Sequence, residues 1–599
     1  MLKSVKSSLF LLGICMLMPL FSMAASSITY ELKMSQPQTH YFEVEVKVTG
    51  IDQDQTVLQL PVWAPGSYLV REFAGHVEGE QAFDGNQKPL SFSKRDKSSW
   101  QIETKGIKEL FFSYKVYAYE LSVRTSFLDA DHGYINGTSI FMYVEGEKDL
   151  PIKLKIEPAN GWSKVSTALK QQGQGFEYAA EDYDELADSP IEIGNQVEFE
   201  FVAAGVPHRV AMFGQSNYDI PRLKEDMKKV VEAATAVFGD NPNEEYLFIV
   251  HNIENPGGGL EHKKSTTLQA ERWQYGNERG YKRFLSLVAH EYFHLWNVKR
   301  IRPEALGPFD YQQENYTSLL WVAEGFTSYY DELLLLRAGI YSEKEYLKSL
   351  TSMMSRVENQ PGSKIQPVAD ASFDAWIKGY RTNENSYNAQ ISYYSKGVLV
   401  AALLDMKVVA GSKGKYHLDD AMKALWKAYQ KDGKGYTEAD VQKVLEKYAK
   451  TNLDQFFAEI IHGTTNIDYA PYFEAMGLSL SDGAAKENNQ PSLGLIMKEE
   501  AGKAKVRIVL RDQAAWIDGL NVHDEILAID GVRVNYRDFA KAEGRLQVGK
   551  PTDVLIARDG LIKNIQVTPR AKNSHAFSLT AKEGMSKSHQ KNKTKWLSK

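Results

Sequence analysis

Phe42, Val44, Val46 and Val48 alternate with Glu43, Glu45 and Lys47, a period of two that predicts a half-buried strand. Short alternating runs recur at 57–60, 110–119, 152–156 and 197–202, separated by turn residues such as Pro65-Gly66 and Asn136-Gly137. Together they predict an N-terminal β-sandwich-like domain over 26–205. From about 206 the period changes. Asp219 and Pro221 open a helix through Phe238, 246–251 reads as a strand, and 255–262 (Asn-Pro-Gly-Gly-Gly-Leu-Glu-His) leads into a second strand at 265–269. Helical spacing then covers about 281–298 and 318–336, with further helices at 343–357, 393–410, 417–429, 437–449 and 453–461. Residues 206–481 thus read as a mixed α/β catalytic unit that grades into a helical region. A polar linker at 482–491 precedes a small strand-rich domain at 492–570, and the lysine-rich 571–599 reads as a disordered basic tail. The fold class expected is multidomain α+β.

Composition adds limits. A chain of 599 residues is too long for one core, and 43% hydrophobic with 25% charged residues is ordinary globular composition. A net charge of -6 argues against a general nucleic-acid binder. Lys3 and Lys6 precede an apolar run at 9–21, and Ser22-Met23-Ala24-Ala25 offers small residues for cleavage. That is the pattern of a secretory signal over 1–25, and it places the mature protein in a periplasm or outside the cell. Cys15, the single cysteine, lies in that segment, which excludes a disulfide scaffold, a thiol enzyme and a cysteine-ligated metal site. No later run is long and apolar enough to span a membrane.

The candidate chemistry centres on Val288-Ala-His-Glu-Tyr-Phe-His-Leu-Trp296. Four helical residues turn about 400°, so His290 and His294 share a face and can grip one zinc ion, with Glu291 beside a water on that ion. Phe284, Leu287 and Val288 form the core-facing stripe that continues into Glu291, His294 and Leu295, and polar groups on such a stripe must be satisfied. A third protein ligand is needed, and Glu324 interrupts the apolar face of the next helix among Leu319, Leu320, Val322 and Ala323. The resulting His-His-Glu set suits peptide hydrolysis, with Glu291 as general base.

His290-Glu-Tyr-Phe-His-Leu-Trp296 followed by Trp321-Val-Ala-Glu-Gly-Phe326 resembles the gluzincin metallopeptidases, which implies a thermolysin-like zinc peptidase unit. Gly258-Gly-Leu-Glu-His262 resembles their Gly-x-Met-Glu-Asn exopeptidase motif, which implies that Glu261, with Gly258 and Gly259, holds the free α-amine of a substrate. Tyr394-Ser-Lys-Gly397 resembles the Tyr-x-Lys-Gly segment, which implies that Tyr394 stabilises the oxyanion, with Tyr393 as its neighbouring competitor. A carboxylate facing an ammonium selects free N-termini, and a phenol donor aids charge that develops only in the transition state. Leu260 and His262 stand where the motif has Met and Asn, and 29 residues separate His294 from Glu324, more than in the aminopeptidase N type. His262 reads as structural. With the turn Ala64-Pro-Gly-Ser-Tyr68 and the C-terminal domain, these departures resemble the glycyl aminopeptidase family, which implies a preference for N-terminal Gly and Ala. From the residues alone, that turn reads as structural rather than catalytic.

Ser492-Leu-Gly-Leu495 with Asp524-Glu-Ile-Leu-Ala-Ile-Asp-Gly531 resembles a PDZ domain, which implies a candidate site for a peptide C-terminus. A closed brace on the catalytic unit is the competing reading. For the whole chain, a zinc aminopeptidase stands against a zinc endopeptidase and against a catalytically silent PDZ adaptor.

Overall fold

Strand Tyr41–Thr49 buries Phe42, Val44, Val46 and Val48, as its alternation requires. It pairs antiparallel with Ser27–Lys33 on one side and Glu109–Tyr117 on the other, inside a seven-stranded sheet. Two four-stranded sheets share its core through Leu58, Trp100, Ile135 and Ile191. The computed structural model describes residues 26–486 and 489–597; the signal-like segment 1–25 lies outside them.

The run at 197–202 does not close this domain, contrary to the sequence expectation. Val197–Ala203 pairs antiparallel with Val206–Phe213 and is the outer strand of the next sheet. Alternation reports that a strand has one buried face; it does not say which sheet the strand joins. In that five-stranded sheet Val206–Phe213, Tyr246–Ile253 and Ser265–Glu271 run parallel, and Gly259–Glu261 forms the far edge, antiparallel to Ser265–Glu271. Helices Ile220–Phe238 and Glu278–Phe293 pack beside it. Their starts are capped, Asp219 Oδ1 accepting from Arg222 N at 2.8 Å and Asn277 Oδ1 from Gly280 N at 2.7 Å.

Glu278–Phe293 stops short of the expected 298. The apolar spacing continues because Leu295 and Trp296 are still buried, Trp296 stacking on Phe238 at 4.6 Å. The backbone has nevertheless left the helix, and Val298 sits at φ 123°. The next helix opens with a π-turn at Trp321–Gly325 and continues as Phe326–Arg337. Glu343–Glu358, Tyr393–Gly411, Leu418–Asp432 and Glu438–Ala449 complete the helical region.

The domains are tied at several buried points. Glu192 of the N-terminal domain accepts from His132 at 2.8 Å and from His251 of the central sheet at 2.9 Å. Asp188 meets Lys299 Nζ at 2.7 Å and His262 Nδ1 at 3.0 Å. Trp63 Nε1 donates to Asp310 O at 2.8 Å. These contacts fix the 63–68 turn against the catalytic unit.

Strands Leu495–Glu500, Lys503–Val509, Glu525–Ile529, Thr552–Arg558 and Leu561–Val567 form a separate sheet with a core of its own. The Asn388 side chain docks it, donating to Val509 O at 2.8 Å and accepting from Arg511 N at 2.9 Å. The tail is ordered, which corrects the expectation of disorder. Phe577–Ala581 pairs with Leu478–Asp482, and helix Lys587–Leu597 buries Trp596, whose Nε1 donates to Tyr329 Oη at 2.9 Å. The lysines misled: Lys591 donates to Lys413 O, and Lys593 pairs with Glu343. One tryptophan and a strand supply the burial that average composition hides. No helix among the described residues is long and apolar enough to cross a membrane.

Candidate active site

The helix Glu278–Phe293 presents His290 and His294 one turn apart, and the π-turn brings Glu324 to them. His290 Nε2 and His294 Nε2 face each other at 3.1 Å; Glu324 Oε2 lies 3.2 Å from the latter and 3.6 Å from the former. Behind them, His294 Nδ1 bonds the Asn297 carbonyl at 2.7 Å and His290 Nδ1 bonds Asp331 Oδ2 at 3.2 Å. With both Nδ1–H groups donating backwards, both Nε2 atoms present lone pairs to the same point. Three acceptors so placed repel unless a cation or proton sits between them. Ligand bonds of about 2.0–2.1 Å in a tetrahedron put donor atoms about 3.3 Å apart. The observed triangle fits that spacing, so the residues present suit a divalent metal. A second cluster of Glu261, Glu291 and His294 atoms lies within 4.8 Å. The first set is the better cage, because both its imidazoles are locked from behind.

The charges agree. Burial pushes the Glu291 carboxyl up to about 7 against the pull of the two imidazoles. Burial likewise works against the Glu324 carboxylate, but His294 and His290 overcome it and hold its pKa at about 2. Burial disfavours the His290 imidazolium, yet Asp331 and Glu324 raise its pKa well above the usual imidazole range. A pocket with four buried or half-buried carboxylates (Glu261, Glu291, Glu324, Asp331) and two imidazoles calls for added positive charge. Glu291 Oε2 is buried without a hydrogen-bond partner, which leaves it available to a ligand.

The glycines set the spacing. A Cβ on Gly259 would lie 2.5 Å from Glu291 Cδ, so the edge strand lies directly against this carboxylate. Gly258 sits at φ 90°, a left-handed conformation that favours glycine. Glu261, three residues on, is buried at 4% exposure. Tyr394 stacks on His290 at 6.2 Å and is half-open, whereas Tyr393 is buried beneath it. Burial, then Glu324, keeps the Tyr394 phenol well above its ordinary pKa, hence protonated and a donor. A Cβ on Gly325 would lie 2.5 Å from Gly397 Cα, so these two glycines let the Glu324 and Tyr394 helices cross backbone to backbone.

Two contributors were not singled out from the sequence, and a third was given only a structural role. Asp331 orients His290. Tyr380 Oη donates to the Gly66 carbonyl at 3.4 Å. The 63–68 turn, read as purely structural, reaches the site: a Cβ on Gly66 would lie 2.5 Å from Glu261 Oε1. Burial raises the Tyr68 phenol's pKa, and Glu324 and Glu261 push it further. A helix period would place Asp331 seven residues after Glu324, two turns along the same face, which is the one signal that could have found it. Nothing local marks Tyr380, and nothing local shows that the turn reaches Glu261.

A cluster of buried histidine and carboxylate donors inside a two-domain β and α/β frame has the donor set of a candidate metal centre. Residues 29–195 match the peptidase M61 N-terminal domain, and 283–400 match M61 glycyl aminopeptidase. Among solved structures, an aminopeptidase N family protein from Idiomarina loihiensis is similar at TM-score 0.88 and 31% identity, over 96% of this chain and 100% of that one. An M1 zinc metallopeptidase from Deinococcus radiodurans gives TM-score 0.47 and 14% identity over 74% of this chain and 94% of that one. Comparison with the curated proteins gives no match. By that full-length relative the chain belongs to the aminopeptidase N family, and within it residues 29–195 and 283–400 carry the two M61 peptidase domains.

Proposed function

We propose that this protein is a zinc-dependent aminopeptidase that releases small N-terminal residues, Gly and Ala, from peptides. The observation that carries the reading is the donor triangle of His290, His294 and Glu324 with Glu291 and Glu261 packed against it. His290, His294 and Glu324 would hold one zinc ion, which when bound supplies Lewis acidity to polarise a carbonyl and acidify a water. Glu291 takes a proton at Oε2 and returns it to the leaving amine, a task suited to a carboxyl poised near 7. Tyr394 donates its O–H to the oxygen of the scissile carbonyl as negative charge builds there. Glu261 pairs with the substrate ammonium at the closed end, with Gly258 and Gly259 letting the peptide backbone approach the edge strand.

Preference for small residues has support in the match of residues 283–400 to M61 glycyl aminopeptidase. The C-terminal domain, with its Leu493-Gly494-Leu495 turn, is proposed as a PDZ-like module that takes peptide C-termini, and the signal-like segment supports action in a periplasm or outside the cell.

The test is hydrolysis of Gly-, Ala- and Leu-anilides by the full chain, each with chelator and with zinc restored. Cleavage of Gly and Ala anilides that stops with chelator and returns with zinc is expected. Equal rates on Leu would sink the size preference, and cutting of N-acetylated peptides would make the protein an endopeptidase.

A further inference from the structure

Two guanidiniums come together beside the site, neither in a direct ion pair among the described residues. Arg71 Nη2 donates to Ser67 Oγ at 3.0 Å, and Arg124 Nη1 donates to Gly257 O at 3.2 Å. The Nε–H of each is buried with no hydrogen-bond partner. Among the described residues, no carboxylate lies within the 4.0 Å of an ion pair from either group. Holding like charges together, each with an unused donor, is costly unless an anion completes the arrangement. Burial, then Arg124, pulls the Arg71 guanidinium below its ordinary pKa, with Glu120 and Tyr380 opposing the shift from a distance.

Their placement relates them to the reaction. Ser67 follows Gly66, which touches the Glu261 carboxylate, and Gly257 precedes Gly259, which touches Glu291. Both tethers therefore lie within about 7 Å of chain from the acidic end. Arg124 also acts electrostatically on the Tyr380 phenol, whose O–H donates to the Gly66 carbonyl at 3.4 Å. The site is thus negative where an ammonium would rest and positive a short distance away, on the Tyr380 side. An extended dipeptide or tripeptide carries its two charged ends about 7–10 Å apart.

We propose that Arg71 and Arg124 form a carboxylate-binding subsite that holds the free C-terminus of a short peptide, making dipeptides and tripeptides the preferred substrates. This rests on the aminopeptidase reading above. A guanidinium pair binds a carboxylate through parallel N–H donors, and both Nε–H groups are free to serve. The same chemistry would accept an acidic side chain in the second residue; the spacing favours the terminal carboxylate.

The experiment compares Gly-Ala, Gly-Ala-amide and Gly-Asp-amide as substrates of the full chain, with Gly-anilide run in parallel. Wild-type protein should prefer Gly-Ala over its amide by about ten- to a hundred-fold in kcat/KM, carried mainly by KM. In Arg124→Gln that ratio should fall towards one, and Arg124→Lys should keep part of it. Arg71→Gln should act in the same direction. A merely structural arginine would lower both substrates alike and leave the ratio standing. Equal wild-type rates on acid and amide, or a ratio unchanged in Arg124→Gln, would overturn the subsite. Gly-Asp-amide matching Gly-Ala would overturn the assignment to the C-terminus. No turnover of Gly-anilide would instead remove the aminopeptidase reading itself, so the two failures are distinct.

Discussion

Replacing Gly325 by alanine tests whether the crossing of two helices sets the geometry of the site. The new Cβ would stand 2.5 Å from Gly397 Cα, 2.9 Å from Gly397 C and 3.1 Å from Tyr393 O. Comfortable carbon–carbon contact is about 3.5–4.0 Å, so the helices must part by roughly 1 Å. All three obstructing atoms are backbone, and no side chain can swing away to absorb the clash. Gly325 is helical at φ -67°, so alanine gains about 1 kcal/mol of intrinsic helix preference there. Overpacking takes back about 1–3 kcal/mol, so the net loss of stability is small. Activity has no such compensation. Glu324 is the adjacent residue and Tyr394 lies three residues before Gly397, so both groups shift against His290. A displacement of about 1 Å typically costs about a hundred-fold in rate.

The expected signature is therefore a melting temperature within a few degrees of wild type, with Gly-anilide kcat/KM down by about a hundred-fold and weaker zinc retention on dialysis. Gly397→Ala should behave alike, and the double variant should lose less than the sum, because each Cβ already opens the same crossing. Gly75→Ala, where a Cβ meets nothing within 4 Å, is the control and should be silent. A Gly325→Ala protein with wild-type kcat/KM and full zinc would refute the idea that this approach positions Glu324 and Tyr394.

Other consequences are sharper about single groups. Asp331→Asn weakens the hold on His290 Nδ1 and should cost about 10–100-fold in zinc affinity, read by chelator competition, with the fold intact by circular dichroism. Trp596→Ala empties a fully buried site and should cost about 3–5 kcal/mol, seen as a lower melting temperature, while kcat of the folded fraction stays put; an unchanged melt would mean the tail helix is not part of the folded body. Burial works against the Asp188 carboxylate, but Lys299 and His262 overcome it and hold its pKa well below the usual range. Because the folded value is depressed, this stabilisation is complete above the unfolded pKa of about 3.9 and fades as pH falls towards the folded value. Asp188→Asn should flatten the acid limb of a stability-against-pH curve and, by stranding buried Lys299, cost about 3–5 kcal/mol at neutral pH; an acid limb identical to wild type would refute the linkage.

What could be read from the chain follows how local each feature is. His290, Glu291 and His294 sit within one helical turn, so sequence spacing is spatial spacing and the motif needs no fold to be seen. Glu324 was reachable because a carboxylate in an apolar stripe has to be answered by a cation, wherever the helix packs. Most helix bounds in the catalytic unit lay near their periodic signals for the same local reason. Errors arose where a decision was made by a distant surface. Strand Val197–Ala203 carries a period of two that is satisfied by either neighbouring sheet, and only its pairing with Val206–Phe213 assigns it. The helical spacing runs past the end of the helix at Phe293 because Leu295 and Trp296 are still buried from an irregular turn, Trp296 stacking on Phe238. The tail looked disordered because its burial rests on Trp596 and one strand pairing, too few residues to move an average.

The 63–68 turn shows the limit most clearly. Its tight glycine conformation was visible, since Gly66 at φ 89° makes a turn wherever it stands. Its meeting with Glu261 was not visible, because that depends on Trp63 reaching Asp310, on Asp188 meeting Lys299, and on the Glu192 pair with His132 and His251. Each of those contacts joins residues more than 50 positions apart. The N-terminal domain is consequently part of the candidate site: it roofs the space beside Glu261 and brings Arg71 and Arg124 to the cleft. A catalytic unit cut free at about residue 196 would keep the metal cage, which its own helices build, but lose the walls that choose a substrate. Discrimination between Gly and Leu substrates should then disappear before metal binding does, because selection depends on the docked domain and metal retention on the helices alone.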